Sequence, residues 1–200
     1  MADYQLEKEI AERRSNDFAI QALILNRWSP RSFLEKSVPE EEILAVLDSA
    51  RWAPSCFNEQ PWRFIVTREE EALHKMQSCL AEQNQQWANR APVLIAVISK
   101  PEFSHNGKKN RWNHFDTGAA WACLALEAKV RGLITHAMGG FFEDKVRVQF
   151  KIPADWGIHA IVALGYQGPS NQLSREIQER EIPSTRKPLH ELWREGHFDF

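Results

Sequence analysis

Cysteine and long hydrophobic runs are both scarce in this sequence, and each scarcity excludes a class of protein. The 200 residues include three cysteines, Cys56, Cys79 and Cys123, which form neither a CxxC pair nor an even disulfide set. A disulfide scaffold is therefore excluded, and a reducing compartment is favoured. No window approaches the roughly 18 consecutive apolar residues of a membrane span. Charged residues also occupy the N-terminal stretch where a signal peptide needs an apolar core, so we expect a cytoplasmic protein without a membrane partner.

The sequence also lacks an excess of charge of either sign and a glycine-rich dinucleotide fingerprint. Its formal net charge is −2 at pH 7 with both signs spread along the chain, so there is no basic stripe for nucleic acid. Gly139 and Gly140 form a pair but no GxGxxG pattern. The chain does contain 43% hydrophobic residues, enough for one compact core. We predict an N-terminal arm over residues 1–17, without a catalytic role, and a single domain over residues 18–200.

Hydrophobic periodicity and turn signals predict both helices and strands. Ser37 and Glu40 match a capping box at the start of a helix. An apolar run predicts a short buried helix over residues 18–25, and a surface helix is expected over 69–80, whereas the stretch around Trp87 is predicted to be irregular. The predicted strands cover residues 62–67, 93–99, 133–138 and 158–165.

The longest predicted helix follows a polar excursion over residues 101–113. Asp116 is predicted to be its N-cap, and Gly132 the glycine just after its end. Because residues 119–128 are apolar almost all round, the helix is expected to be buried on every side. Such burial is hard to arrange within 200 residues, so the pattern predicts that a second protomer covers this helix.

Two short segments carry groups that suit an anionic heterocycle. Arg27 and Arg31 flank Ser29, and guanidinium groups bind phosphate through paired charge-assisted hydrogen bonds. Alone, this segment is more typical of a solvated basic turn. The proline-bracketed loop from Pro54 to Pro61 adds hydroxyl and amide groups for the polar edge of a ring, although a lone loop of this kind is more often simple turn chemistry.

Four blocks in this order and spacing resemble the nitroreductase family. The first is the RxSxR segment at 27–31, and the second is the PSxxNxQPW loop at 54–62. Two further blocks agree, at 116–120 and at 132–141, and the resemblance extends over residues 18–192. It implies an α+β sandwich in which helices flank a central mixed, largely antiparallel sheet, and a homodimer with the long helix in the interface.

The resemblance implies an FMN cofactor bound at that dimer interface. Three arginines would surround the phosphate, and the loop near residue 58 would reach the isoalloxazine ring from the other subunit. Backbone amides after the third strand would approach flavin N5 and O4, where glycine allows a flat ring to come close. The implied FMN ligands are Arg27, Trp28 through its backbone, Ser29, Arg31 and Arg186 near the phosphate, Pro54, Ser55, Cys56, Asn58 and Gln60 in the loop, and Met138, Gly139 and Gly140 after the strand.

The resemblance also implies an oxidoreductase with NAD(P)H as co-substrate. A hydride would pass through flavin N5 to a small planar acceptor such as a nitroaromatic, a quinone or an enone, with no obligatory side-chain acid or base. Relatives with the same scaffold dehalogenate aromatics, oxidise azoline rings or cleave flavin, and the sequence excludes none of these activities. A non-enzymatic flavin-binding protein is the alternative from a different class.

Four further candidate residues have a simpler structural explanation. His114 and Asp116 lack a third ligand nearby in sequence, so a metal site is not expected. Cys56 has no adjacent histidine that would favour a reactive thiolate. His136 lies in a predicted strand and is expected to be a hydrogen-bonded structural residue.

Overall fold

The computed structural model describes residues 4–198. These residues form one sheet with helices on both faces. The expected α+β sandwich is therefore confirmed. No helix among these residues is long and apolar enough to cross a membrane. The helices are α1 (Lys8–Ala11), α2 (Ala22–Asn26), α3 (Glu40–Arg51), α4 (Glu70–Ser78), α5 (Glu82–Ala88), α6 (Asn113–Val130), α7 (Glu143–Phe150) and α8 (Arg175–Gln178), and the strands are β1 (Trp62–Thr67), β2 (Val93–Ser99), β3 (Ile134–Met138) and β4 (Gly157–Gly165).

The sheet has the strand order β1-β2-β4-β3, and every pairing in it is antiparallel. The predicted largely antiparallel sheet is confirmed, but its mixed character is not found within residues 4–198. All seven residues of β2 are buried, because this strand is central and both of its faces are covered. Its side chains alternate between two cores, as the two-residue period of a strand requires. Leu94, Ala96 and Ile98 belong to one core, while Val93, Ile95 and Val97 belong to the other.

The two cores use different helices. Side chains from α4, α5 and α7 fill the first core, together with Phe33 stacked against Trp87 at a centroid distance of 6.2 Å. Side chains from α3 and α6 fill the second core. Trp87 therefore lies in a helix, and the irregular stretch predicted around it is wrong. Most residues of α5 are polar, so its sequence has no helical spacing of hydrophobic residues.

Helix α6 begins at Asn113 and its N-cap is Trp112, four residues before the predicted N-cap. Asp116 is thus not an N-cap; it lies inside the helix, and its carboxylate accepts a hydrogen bond from the Cys56 N–H at 3.1 Å. The predicted end is confirmed, since Gly132 has φ +70° and the Leu133 N–H donates to the Ala128 carbonyl at 2.8 Å. The left-handed residue and this hydrogen bond together form a Schellman motif. Glycine is favoured at such a position because it has no Cβ to oppose the left-handed backbone.

One face of α6 is covered by its own chain and the other is not. Asp116, Ala120 and Leu124 are buried against the sheet. Phe115, with 78% of its surface exposed, lies on the opposite side with the exposed Gly118 and Ala122. The single chain therefore does not bury the helix on every side, and the predicted cover by a second protomer stays a prediction. The helix instead presents an uncovered apolar face.

Two local predictions near the N-terminus are also corrected. The N-cap of α3 is Pro39, and no side chain caps the helix, so the predicted capping box around Ser37 does not form. In the segment 18–25, Phe18 is 69% exposed and Ile24 is 53% exposed. These apolar side chains are not buried in the chain's own core, and only the last residues of the segment belong to α2.

Candidate functional site

A cavity of about 590 Å³ opens between α2, α6 and the two terminal segments of the chain. This volume lies within the usual range for small-molecule sites. One part of its lining is apolar and comes mainly from α2 and α6, and the other part carries guanidinium and hydroxyl groups. We call it the arginine cavity; its lining includes Ile20, Ile24, Leu25, Trp121, Ala122, Ala125, Leu126 and Ala137 on the apolar side, and Arg14, Arg27, Ser29 and Arg186 on the polar side.

A smaller recess of about 240 Å³ shares all four of those polar residues. It adds Trp28, Arg31 and His136 to the lining. The structure therefore brings together the five residues that the resemblance assigned to the phosphate region, although they are separated by more than 150 positions in sequence. Sequence reasoning did not include Arg14 or His136 in this group.

The polar end of the cavity is strongly cationic. Burial lowers the pKa of Arg14 from its usual value, and the charges of Arg186 and Arg27 lower it further. Burial and the charge of Arg186 likewise lower the pKa of Arg27. Among residues 4–198, no carboxylate lies within 4 Å of any of these three guanidinium groups. A bound anion would relieve both the desolvation and the repulsion that act on them.

Arg31 differs from the other arginines because its segment already holds a carboxylate. The backbone N–H of Arg31 donates to both carboxylate oxygens of Glu181, at 2.7 and 3.0 Å, and its guanidinium lies 3.8 Å from the same group. The Ser32 N–H donates to Glu181 as well, at 2.9 Å. Glu181 is buried, so this contact fixes the segment that carries the predicted phosphate ligands.

His136 lies in β3 beneath the recess. Burial lowers its pKa to about 4, and the charge of Arg31 acts in the same direction. Its Nδ1 lies 3.1 Å from the Pro30 carbonyl oxygen. A carbonyl oxygen can only accept, so Nδ1 carries a proton. Because the pKa is about 4, the ring is uncharged at pH 7. The expected hydrogen-bonded histidine is found here, and it adds no charge to the arginines above it.

The loop that carries Pro54, Ser55, Cys56, Asn58 and Gln60 lies near the start of α6, whereas the cavity adjoins the middle of that helix. Its anchor is the bond from Cys56 to Asp116, nine residues before Ala125 in the cavity wall. At 1.5 Å per residue these points are about 14 Å apart along the helix. None of the five loop residues lines the arginine cavity, so within one chain the two predicted parts of the site are separate.

The loop backbone is unusual. Phe57, Asn58 and Gln60 all have left-handed backbones, with φ of 53°, 54° and 50°. Phe57 is 80% exposed, and its ring meets Phe103 edge-on at a centroid distance of 5.8 Å. Bulky residues adopt this conformation only where the surroundings hold them there. The loop is thus a fixed shape that points an aromatic ring into solvent.

The third predicted segment follows β3. The Met138 side chain is buried in the first core, so only its backbone is free to face a ligand. A Cβ at Gly139 would meet no described atom within 4 Å, whereas one at Gly140 would lie 2.7 Å from Asn84 Nδ2. A side chain at Gly140 would therefore displace the Asn84 amide, whereas Gly139 leaves open space.

Comparisons with known proteins agree on one family. The profile of the nitroreductase family matches residues 24–86 and 79–166. The chain belongs to the nitroreductase family. A crystal structure described as an oxidoreductase containing FMN superimposes with a TM-score of 0.90 at 40% identity, over 93% of this chain and 96% of that one. Family membership confirms the recognition from sequence and the oxidoreductase class.

Two curated relatives show that this nitroreductase-family chain resembles enzymes of different kinds. An NADH dehydrogenase of Thermus thermophilus is 29% identical over 203 residues, covering 85% of this chain and 93% of the relative. Iodotyrosine deiodinase 1 of Homo sapiens is 26% identical over 215 residues, covering 93% of this chain and 70% of the relative. The family is therefore shared by relatives with distinct chemistry.

Proposed function

We propose that this protein is an FMN-dependent NAD(P)H oxidoreductase. The observation that carries the proposal is the arginine cavity, which joins an apolar wall to a cationic end without a nearby carboxylate among the described residues. FMN has the matching division, with a flat apolar ring system at one end and a phosphate dianion at the other. A structural relative that contains FMN, at 40% identity, supports the same cofactor.

Residues from both ends of the chain would hold the phosphate. Arg27 and Arg186 supply guanidinium donors, and Ser29, 3.4 Å from Arg27 Nη1, supplies a hydroxyl. Glu181 keeps the 27–31 segment in place through the backbone of Arg31 and Ser32. Trp121 and Ala122 provide part of the apolar wall, which suits an aromatic ring and excludes water from it.

When bound, the flavin would supply the electron chemistry, accepting a hydride from NAD(P)H and delivering it to a small planar acceptor such as a nitroaromatic, a quinone or an enone. The chain binds and orients the reactants. No side-chain acid or base is assigned, because burial lowers the pKa of His136, the histidine of the recess, to about 4 and its Nδ1 already donates to the Pro30 carbonyl.

The proposal includes a homodimer with shared sites. The uncovered face of α6, with Phe115, Gly118 and Ala122, is apolar and adjoins the cavity wall. The loop anchor Asp116 lies five residues before Trp121 in that wall, about 7.5 Å along the helix, and none of the five loop residues lines the cavity of its own chain. Pairing of two α6 helices would cover the apolar face and allow each loop to complete the cavity of the other chain.

The test is anaerobic reduction of the purified protein. We expect a yellow protein with one FMN per chain that bleaches on addition of NADH or NADPH and recovers its colour with a nitroaromatic or quinone. The matched control is the double variant Arg27→Ala with Arg186→Ala, which should lack flavin. A protein that takes up FMN but does not bleach would instead be a flavin-binding protein without this activity, and one that takes up no FMN would overturn the proposal.

Reductive dehalogenation is the second candidate, because the chain aligns with a deiodinase over 93% of its length. The same reduced protein should then release iodide from an iodinated phenol. Iodide release faster than reduction of nitroaromatics and quinones would favour this candidate over the first.

A further inference from the structure

The N-terminal arm, for which the sequence predicts no catalytic role, is held against the rest of the chain by several contacts. Ile10 is completely buried. The Glu7 N–H donates to Asn26 Oδ1 at 3.0 Å, and Asn26 Nδ2 donates back to the Gln5 carbonyl at 2.8 Å. Lys129 of α6 pairs with Glu7 at 2.6 Å. The arm therefore has a defined path that brings Arg14 to the arginine cavity.

The guanidinium of Arg14 makes contacts with three backbone carbonyls. Its Nε donates to Ser184 at 3.0 Å, and its Nη1 donates to Leu25 and to Arg27, the latter at 3.1 Å. These bonds use three of the five N–H donors of the group. Nη2 is buried and has no hydrogen-bond partner among the described residues. The two N–H donors on this buried nitrogen are therefore unpaired among the described residues.

An unsatisfied buried donor on a charged group is strongly unfavourable unless a partner is supplied. Arg14 lines both the arginine cavity and the recess, together with Arg27, Ser29 and Arg186. It is also repelled by Arg27 and Arg186. A phosphate among these groups would satisfy the free donors and offset the repulsion. A purely structural clamp would explain the three carbonyl bonds but not the third, unpartnered nitrogen.

We propose that Arg14 is a direct ligand of the phosphate of the bound cofactor, so that the N-terminal arm forms part of the binding site. This inference rests on the proposed function for the identity of the phosphate carrier. Because Arg14 also bonds to Ser184 and Arg27, it ties the two other phosphate-binding segments to the arm. The site is then built from both ends of the chain.

The experiment compares FMN with riboflavin, which lacks the phosphate, on flavin-free protein by quenching of flavin fluorescence. Arg14→Gln should weaken FMN binding by about 10- to 100-fold, as expected for a charge-assisted hydrogen bond, and should change riboflavin binding by less than about 3-fold. Arg14→Lys keeps the charge and should recover part of the FMN affinity. Lys8→Gln removes one charge from an exposed position of the same arm and should change neither affinity.

Several outcomes would overturn the inference. Equal losses for FMN and riboflavin would show a structural clamp, and equal losses in Lys8→Gln would show a general charge effect. If Arg14→Gln does not fold, Arg14→Lys decides: selective weakening of FMN supports a direct contact, and unchanged FMN affinity rejects it.

A separate readout distinguishes failure of this inference from failure of the proposed function. If the unmodified protein binds neither flavin, the proposed function is wrong, and inorganic phosphate becomes the probe. Phosphate should raise the Tm of the unmodified protein and of Lys8→Gln but not that of Arg14→Gln. An equal rise in all three would reject Arg14 as a phosphate ligand.

Discussion

The arginine cavity and the loop of residues 54–60 were predicted to bind the same molecule, yet they differ in how their polar groups are satisfied. In the cavity, the positive charges repel one another, and no carboxylate among residues 4–198 lies within 4 Å of Arg14, Arg27 or Arg186. In the loop, the Gln60 N–H donates to Ser55 Oγ at 3.0 Å and the Gln60 side chain donates to Asn58 Oδ1 at 3.1 Å. The cavity therefore holds unbalanced positive charge, whereas the loop satisfies polar groups through its own contacts and through the bond from Cys56 to Asp116.

The largest effect is expected from complementation between chains, which tests whether the loop of one chain and the cavity of the other form one site. One variant carries Arg27→Ala with Arg186→Ala, and the other carries Ser55→Ala with Asn58→Ala. Each homodimer should be folded and lack FMN. A mixed dimer should regain one working site, because one cavity then has intact arginines from one chain and an intact loop from the other.

The measurement is flavin absorbance and NAD(P)H turnover after the two variants are unfolded and refolded together, with the heterodimer isolated by two different tags. Activity absent from both parents is the expected result. If the loop and the cavity of one chain served the same site, every site would keep a lesion and no activity would return.

The loss of FMN affinity in single arginine variants should depend on whether the arginine already has a carboxylate beside it. Arg27→Ala and Arg186→Ala should each weaken FMN binding by about 10- to 100-fold. Arg31→Ala should have a smaller effect, because the guanidinium of Arg31 already lies beside Glu181 and bonds to the Arg180 carbonyl at 3.2 Å. Calorimetric titration with FMN measures all three; a loss in Arg31→Ala as large as in the others would contradict this ranking.

The loop depends on Asp116 for its anchor. Asp116→Ala leaves the Cys56 N–H without its acceptor, and a lost buried partner costs about 1–3 kcal/mol. We expect that decrease in the free energy of unfolding, measured with urea, together with weaker FMN binding. Asp116→Asn keeps an oxygen acceptor and is the matched control. Equal stability of the alanine variant and the unmodified protein would show that the loop holds its shape without this bond.

The smallest effect is expected at the glycine pair. Gly139→Ala should change stability by no more than about 0.5 kcal/mol, since its Cβ would meet no described atom within 4 Å. If the flavin edge occupies that space, FMN binding should weaken by about 5-fold. Gly140→Ala should instead lower stability, because its Cβ would displace Asn84. Unchanged FMN affinity in Gly139→Ala would remove the glycine from the proposed site.

The sequence predicts an element correctly where several signals agree, and incorrectly where the boundary of the element depends on the use of a single side chain. The strands and the end of α6 at Gly132 were predictable because hydrophobic runs and turn residues agree there. The start of α6 was not, since Asp116 has the side chain of an N-cap but is used three residues inside the helix, as the acceptor for Cys56. Side-chain type alone does not distinguish these two uses.

The predicted site shows the same limit. Arg27 and Arg186 meet at one cavity, as the resemblance implied. Arg14 gave no signal, because one arginine in a charged segment is typical of solvated surface. Glu181 gave none either, since its role as an acceptor for Arg31 and Ser32 depends on a contact across 150 positions. Their importance comes from tertiary packing, which no local pattern records.

Helix α6 links the two regions mechanically. It has 18 residues, about 27 Å at 1.5 Å per residue, with the loop anchor Asp116 near its start and the cavity wall at Trp121 and Ala125. In the proposed dimer, each α6 would serve its own cavity along its middle and its partner's cavity through its start. Occupation of one site would thus restrain a part of the other, and such coupling is reciprocal. The Hill coefficient for FMN binding should then differ from one.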